Sequence, residues 1–259
     1  MPLALHQFIC RTDNYGYLVH VAGEGGGAGL TAAIDTPDAR TIDRALEETG
    51  WTLTHILNTH HHPDHAGGNL ALKSRHHCTI IGPRAEEALI PGIDRAVGEG
   101  DIVDLGGHPV RVFDVPAHTR GHIAYWFQGD GLAFVGDTLF SLGCGRLFEG
   151  TAAQMWHSLE KLMTLPDDTL VYCGHEYTQA NARFALTVEP GNAELRKRAA
   201  EVDRLRAAGM PTVPSTMGLE KRTNPFLRPA SPEIQKVLGL EGADPVAVFA
   251  ETRKRKDRF

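Results

Sequence analysis

The chain is poor in thiols, in long apolar runs and in excess positive charge. Its 259 residues include four cysteines, Cys10, Cys78, Cys144 and Cys173, none spaced as Cys-x-x-Cys. That pattern supplies neither a thiolate zinc site nor a disulfide framework, so buried, reduced thiols are expected; Cys173 lies close to His175. No apolar run approaches the length of a membrane span. The N-terminus, Met1-Pro2-Leu3-Ala4-Leu5-His6, lacks the basic region and apolar stretch of a secretory signal, and a cytoplasmic chain is expected. The net charge of −6 argues against general nucleic-acid binding. There is no internal repeat and no low-complexity segment. What remains, 42% hydrophobic and 22% charged, is an ordinary soluble composition, long enough for one large domain or two small ones.

Against this plain background one stretch stands out. Thr59-His60-His61-His62-Pro63-Asp64-His65 places four histidines and an aspartate within six positions. Imidazole and carboxylate suit zinc, iron and manganese. His60 and His62 are two apart, so in extended chain they point the same way. Asp64 and His65 supply a second ligand set if the chain turns there. His61, between two ligands, should point away.

Periodicity reads the first two-thirds as strands with connecting loops and helices. Residues 17–21 and 30–35 look like strands joined by a glycine-rich hairpin connection over 23–29, which lacks the spacing of a phosphate loop. Strands are predicted at 54–58, 79–82, 110–115, 123–127, 132–135 and 169–173, and helices at 38–49, 69–75 and 154–165. After Tyr177 the pattern turns helical, over 178–188, 193–208, 232–240 and 244–256, with a proline-bearing loop over 211–229. The boundary is placed near residue 175: a strand-rich catalytic domain over 1–175 and a helical domain over 176–259.

Further ligand candidates share one context. His60, His118, Asp137 and His175 each stand just past the C-terminal end of an apolar strand. If those strands share one rim of a sandwich, the side chains can converge there. The inventory becomes His60, His62, Asp64, His65, His118, Asp137 and His175, too many for one tetrahedral zinc. It suits two metals about 3.5–4 Å apart with a hydroxide between them, and Asp137 can bridge. His76, His77, His108 and His157 read as surface residues; His122, four after His118, is ambiguous. The tail Arg253-Lys254-Arg255-Lys256-Asp257-Arg258 has five basic residues in six; on charge alone it reads as a solvated helix end.

The motif His60-x-His62-x-Asp64-His65, followed by His118, Asp137 and His175, resembles the metallo-β-lactamase superfamily. Residues 143–150 (Gly-Cys-Gly-Arg-Leu-Phe-Glu-Gly), Gly174-His175-Glu176-Tyr177-Thr178, Asn224-Pro225-Phe226-Leu227-Arg228 and Lys256-Asp257-x-Phe259 narrow the resemblance to the glyoxalase II family, the hydroxyacylglutathione hydrolases, over essentially the whole chain. The resemblance implies an α+β fold: a four-layer αββα sandwich with a C-terminal helical domain. It implies two divalent ions, zinc first, with iron or manganese accepted by the same ligands. One would take His60, His62 and His118 and the other Asp64, His65 and His175, with Asp137 bridging. Glutathione would be held by Arg146, Phe148, Tyr177, Arg253 and Lys256, which revises the reading of the tail; Lys254, Arg255 and Arg258 stay as solvated charges. Two positions depart from the family: Phe148 stands where Tyr is frequent and cannot donate a hydroxyl hydrogen bond, and Arg146 stands where many members have Lys.

The implied substrate is the thioester S-D-lactoylglutathione, cleaved by a monomer without nucleic-acid or membrane partners. Asp64 and Asp137 are the expected catalytic residues, Asp64 orienting the attacking hydroxide as well as ligating and Asp137 bridging. The nearest rival is a mono-iron persulfide dioxygenase on the same fold, which has no need of Asp64, His65 and His175. Other hydrolases of the superfamily, acting on lactones, β-lactams or RNA, fit the helical tail less well.

Overall fold

The computed structural model describes residues 2–23 and 29–259. By internal contacts the chain forms two compact units. One runs up to Asp114 and includes Thr119–Gly136; the other comprises Val115–His118 and Asp137–Phe259.

The first unit holds two sheets and a layer of helices. The first sheet has the order β1 (Leu3–Cys10), β2 (Asn14–Val21), β3 (Leu30–Ile34), β4 (His55–Leu57), β5 (Thr79–Pro83) and β6 (Arg95–Val97). The first three strands pair antiparallel and β3 to β6 pair parallel. Parallel neighbours need crossovers, and α1 (Ala39–Thr49), α2 (Pro63–Ala66) and α3 (Asn69–His76) lie in those connections. The register sets Leu18, Ala33, Ile56 and Ile80 in one row. That row is buried with Ile42, Leu46 and Leu72 from the helices. Helix α1 starts where the Asp38 carboxylate accepts from Thr41 N and stops at Gly50, whose φ of 71° satisfies the left-handed C-cap.

In the same unit β7 (Ile102–Leu105), β8 (His108–Asp114), β9 (Ile123–Phe127) and β10 (Leu132–Gly136) form a second antiparallel run. Alternation sends the other face of the first sheet towards it: Tyr17 meets Phe134 at 5.3 Å between ring centroids, and the Tyr125 hydroxyl donates to Asn58 O at 2.8 Å. The second sheet therefore backs the strand that runs into His60.

The second unit contains the hairpin β11 (Leu139–Phe140) and β12 (Gly143–Cys144), α4 (Ala152–Leu162), and β13 (Leu170–Cys173) paired with a short β14 (Ser215–Thr216). Its remaining helices are α5 (Thr178–Val188), α6 (Ala193–Ala207), α7 (Met217–Thr223), α8 (Pro232–Leu238) and α9 (Pro245–Asp257). A reciprocal Thr151–Gln154 capping box opens α4.

Most elements fall where periodicity puts them, with ends shifted by a few residues. The predicted loop over 211–229 is a correction: it contains β14, α7 and a 3-10 turn at Pro225–Leu227. The Thr216 hydroxyl caps α7 by accepting from Leu219 N, and Pro225 occupies the first position of its turn. The prolines punctuate short helices there and do not prevent them. β1, absent from the sequence reading, is an edge strand with mostly half-exposed residues, hence its weak apolar alternation. The hairpin connection over 23–29 falls largely on residues 24–28, outside the described residues, although Val21 and Leu30 do pair antiparallel across it.

Candidate metal centre

In the first unit the histidine loop leaves β4 and turns at once into α2. This single turn begins at Pro63 and carries Asp64 and His65, which supplies the turn that the sequence required. His60 and His65 are fully buried, and each has one ring nitrogen already committed. Asp35, just past β3, is the organiser. Its Oδ1 accepts from Thr59 N at 2.7 Å, and its Oδ2 accepts from Thr59 Oγ1 at 2.8 Å and faces His65 Nδ1 at 2.8 Å. Thr59 spends its hydroxyl hydrogen on Asp35, so its lone pairs accept from His60 Nδ1 at 3.0 Å. Both imidazoles are thereby fixed as Nδ1–H tautomers, with Nε2 left as a lone-pair donor.

That arrangement fits a cation. His60 Nε2 lies 3.0 Å from His62 Nδ1, and two ring nitrogens so close must share a proton or a metal ion. His65 Nε2 lies 3.8 Å from Asp64 Oδ2, and Asn14 Nδ2 donates to the same oxygen at 3.3 Å. His61 turns away as expected: its backbone N–H and its Nδ1 both meet Glu86 Oε2 at 2.9 Å. Glu86 Oε1 accepts from Gly121 N at 2.8 Å, where a Cβ would come within 2.7 Å of Glu86 Cγ. The next residue, His122, is buried and stacks on His60 with centroids 4.5 Å apart. Its position packs the ring of a ligand candidate.

The second unit carries the remaining ligand candidates. His118 Nδ1 donates to Arg146 O at 3.0 Å, so Nε2 is the nitrogen turned towards Asp137. Asp137 Oδ2 stands 3.4 Å from both His118 Nε2 and His175 Nε2. A carboxylate oxygen held equally between two imidazoles suits a ligand shared by two cations. The Tyr177 ring stacks on His175 with centroids 4.8 Å apart and planes 3° from parallel. Burial pushes the Cys173 thiol up to about 12, and it donates to His175 O; it is a packed thiol and no thiolate ligand. All four cysteines are free and buried, as expected.

The same unit carries the five residues expected at glutathione. Arg146 and Phe148 are exposed, Phe148 with its ring 5.2 Å from that of His118. Arg253 is buried: it donates to Cys144 O at 2.9 Å, pairs with Asp257 and lies over the Phe226 ring. Lys256 donates to Ala180 O and lies over Phe184 and Phe259. Burial, together with the charges of Arg253, Arg183 and Arg146, lowers its ammonium to about 8. Lys254 and Arg255 pair with Glu251 on their own helix. Of the four histidines expected at the surface, His77 and His157 are exposed, whereas His76 and His108 are half-buried against Asp43 and Asp130.

Sequence reasoning missed Asp35, Thr59 and Glu86. Asp35 was within reach, because it stands past an apolar strand as His60 does. Glu86 carries no local signal.

Comparison with known proteins agrees with this geometry. Residues 25–175 match the metallo-β-lactamase superfamily, and residues 176–259 match the family described as hydroxyacylglutathione hydrolase C-terminus. The hydroxyacylglutathione hydrolase of Rhizobium meliloti is 59% identical over 257 residues, 99% of each chain. That of Methylococcus capsulatus is 56% identical over 257 residues, 99% of each chain. Among solved structures, ETHE1 from Myxococcus xanthus aligns over 98% of each chain with a TM-score of 0.66 and 28% identity. The BLEG-1 B3 metallo-β-lactamase covers 87% of this chain and 100% of its own, with a TM-score of 0.65 at 21% identity, and so bears on the fold alone. The chain belongs to the hydroxyacylglutathione hydrolase family, built on the metallo-β-lactamase fold with a helical C-terminal part.

Proposed function

We propose that the protein hydrolyses S-D-lactoylglutathione and related 2-hydroxyacylglutathiones to glutathione and the free hydroxy acid, the second step of methylglyoxal detoxification. The observation that carries this reading is the family match over residues 176–259, because the histidine motif alone identifies only the superfamily. Two divalent ions are proposed, zinc first, one held by His60, His62 and His118 and the other by Asp64, His65 and His175, with Asp137 between them. When bound, such a pair lowers the pKa of a water towards about 7 and polarises a carbonyl oxygen.

The chain's own residues do the rest. Asp35 and Thr59 hold two imidazoles in the ligating tautomer, so no ring needs to reorient when metal arrives. Asp64, with Asn14 on its Oδ2, orients the attacking oxygen. A thiolate leaves readily, so no dedicated general acid is required. Residues 176–259 are proposed as the glutathione-binding domain, joined in that task by Arg146 and Phe148. Arg253 keeps one Nη2 hydrogen beyond those directed at Cys144 and Asp257, and Lys256 adds a second cation for the peptide's carboxylates. No helix among the described residues is long and apolar enough to cross a membrane; the reaction is proposed for the cytoplasm.

The test is hydrolysis of S-lactoylglutathione followed alongside metal analysis of the same preparation. Two divalent ions per chain with thioester cleavage are expected. One iron per chain, oxygen uptake with a glutathione persulfide and no thioester cleavage would overturn the reading in favour of the dioxygenase.

A further inference from the structure

The segment Asn224–Arg228, one of the motifs that resemble the family, contains no metal-ligand candidate and no residue expected at glutathione. Asn224 is fully buried. Its side-chain amide donates towards Phe140 O at 3.1 Å, Gly143 O at 2.9 Å and Glu220 Oε2 at 3.0 Å. Glu220, one turn earlier on α7 and 1% exposed, accepts from Leu142 N at 2.8 Å and from Ser141 Oγ at 3.1 Å. Asn181 of α5 donates to Ser141 O at 3.1 Å. Three buried side chains thus bond four consecutive residues, Phe140 to Gly143, at the tip of the β11–β12 hairpin. The tip needs such support: Leu142 sits at a φ of 57°, a conformation that branched side chains rarely adopt. At Gly143 a Cβ would fall 2.4 Å from the Asn181 amide nitrogen, so that amide fills space only glycine leaves.

The hairpin is flanked by the residues that matter. Asp137 stands two positions before β11, and Arg146 two positions after β12. Gly145 N closes onto Thr138 O at 3.3 Å. The Arg146 carbonyl fixes the His118 ring, and the Cys144 carbonyl accepts from Arg253. Farther along the motif, Phe226 lies under the Arg253 guanidinium at 5.1 Å.

We infer that Asn224, Glu220 and Asn181 are positioning residues: a buried clamp that sets the Leu139–Cys144 hairpin, and through it Asp137, His118 and Arg146, for metal retention and thioester binding. The inference rests on the proposed function for the roles of those three residues.

Isosteric variants separate positioning from mere packing. Asn224→Asp keeps the shape but turns a donor into an acceptor facing three acceptors. Glu220→Gln can keep every contact: its carbonyl oxygen takes the place of Oε2 and its amide donates to Ser141 Oγ, which turns to accept. The measurements, on full-length protein, are zinc affinity against a competing chelator, KM and kcat for S-lactoylglutathione, and the thermal midpoint. For Asn224→Asp we expect zinc affinity about tenfold weaker and a raised KM, with Glu220→Gln within about twofold of the parent on both. A folded Asn224→Asp protein with parental zinc affinity and KM would overturn the inference, whatever its thermal midpoint. If that variant does not fold, Asn181→Ala, which removes one bond, should weaken zinc about two- to threefold; unchanged affinity and KM would overturn the inference equally. A parent that binds zinc without cleaving the thioester strikes the proposed function, while the variant-to-parent zinc ratios still decide the clamp.

Discussion

The histidine loop His60–His65 and the basic helix α9 both concentrate polar chemistry, but they are built in opposite ways. In the loop the ring nitrogens of buried imidazoles are answered by a carboxylate, a hydroxyl or another ring, and Asp35 and Glu86 fix the backbone beneath. In α9 one guanidinium is buried and tied to its own hairpin and helix, while Lys256 stays half-buried, at a lowered pKa, held by one carbonyl and two aromatic faces. The contrast matches the two tasks proposed for them. Metal ligation requires fixed tautomers and sub-ångström placement. Capture of a flexible peptide's carboxylates requires charge that can adjust.

The comparison breaks most sharply at Asp137. Asp137→Ala should lower kcat by at least about a thousandfold and reduce metal content; full activity with normal metal loading would remove the metal assignment. Next comes Asp35→Ala, which orphans Thr59 N–H and frees the His65 ring. Metal affinity should fall about 10- to 100-fold and the thermal midpoint with it, as read by chelator competition and calorimetry.

On the recognition side the effects should be smaller and fall on KM. Lys256 is cationic below about pH 8 and loses its charge above it. KM for a glutathione thioester should therefore rise as pH passes upwards through about 8, with kcat little changed. Lys256→Arg should abolish that rise, because a guanidinium does not titrate there, and Lys256→Ala should give the high KM at every pH. The smallest expected effect belongs to Phe148→Tyr. Its new hydroxyl offers one hydrogen bond at an exposed ring, and KM should fall about three- to tenfold if glutathione accepts it. An unchanged KM would leave Phe148 a packing surface only.

The two regions also differ in how far they could be read before any coordinates. The loop announced itself, because ligand candidates that share one turn are neighbours in sequence. His118, Asp137 and His175 are scattered, yet each follows an apolar strand, and that rule picks them out as candidates. The same rule applies to Asp35, whose place after Leu30–Ile34 was passed over because an isolated aspartate at a strand end is unremarkable. Glu86, Asn181 and Glu220 could not be read at all. They act on backbone N–H and C=O groups far away in the chain, and no spacing encodes such a partner. The short helix α7 was hidden among prolines for a related reason: caps and first-turn prolines look like loop residues until the hydrogen bond of Thr216 is seen.

The buried thiols have a consequence for side reactions. A thioester can pass its acyl group to any thiolate it meets, and glutathione disulfide can exchange with the same nucleophile. Cys10 and Cys144 are raised to about 11 and Cys173 to about 12. At neutral pH burial keeps these thiols in the protonated, unreactive form. For the proposed acylated-thiol substrate this keeps the chain's own sulfur out of the reaction, even at Cys173, two residues from His175, and protects it from acylation.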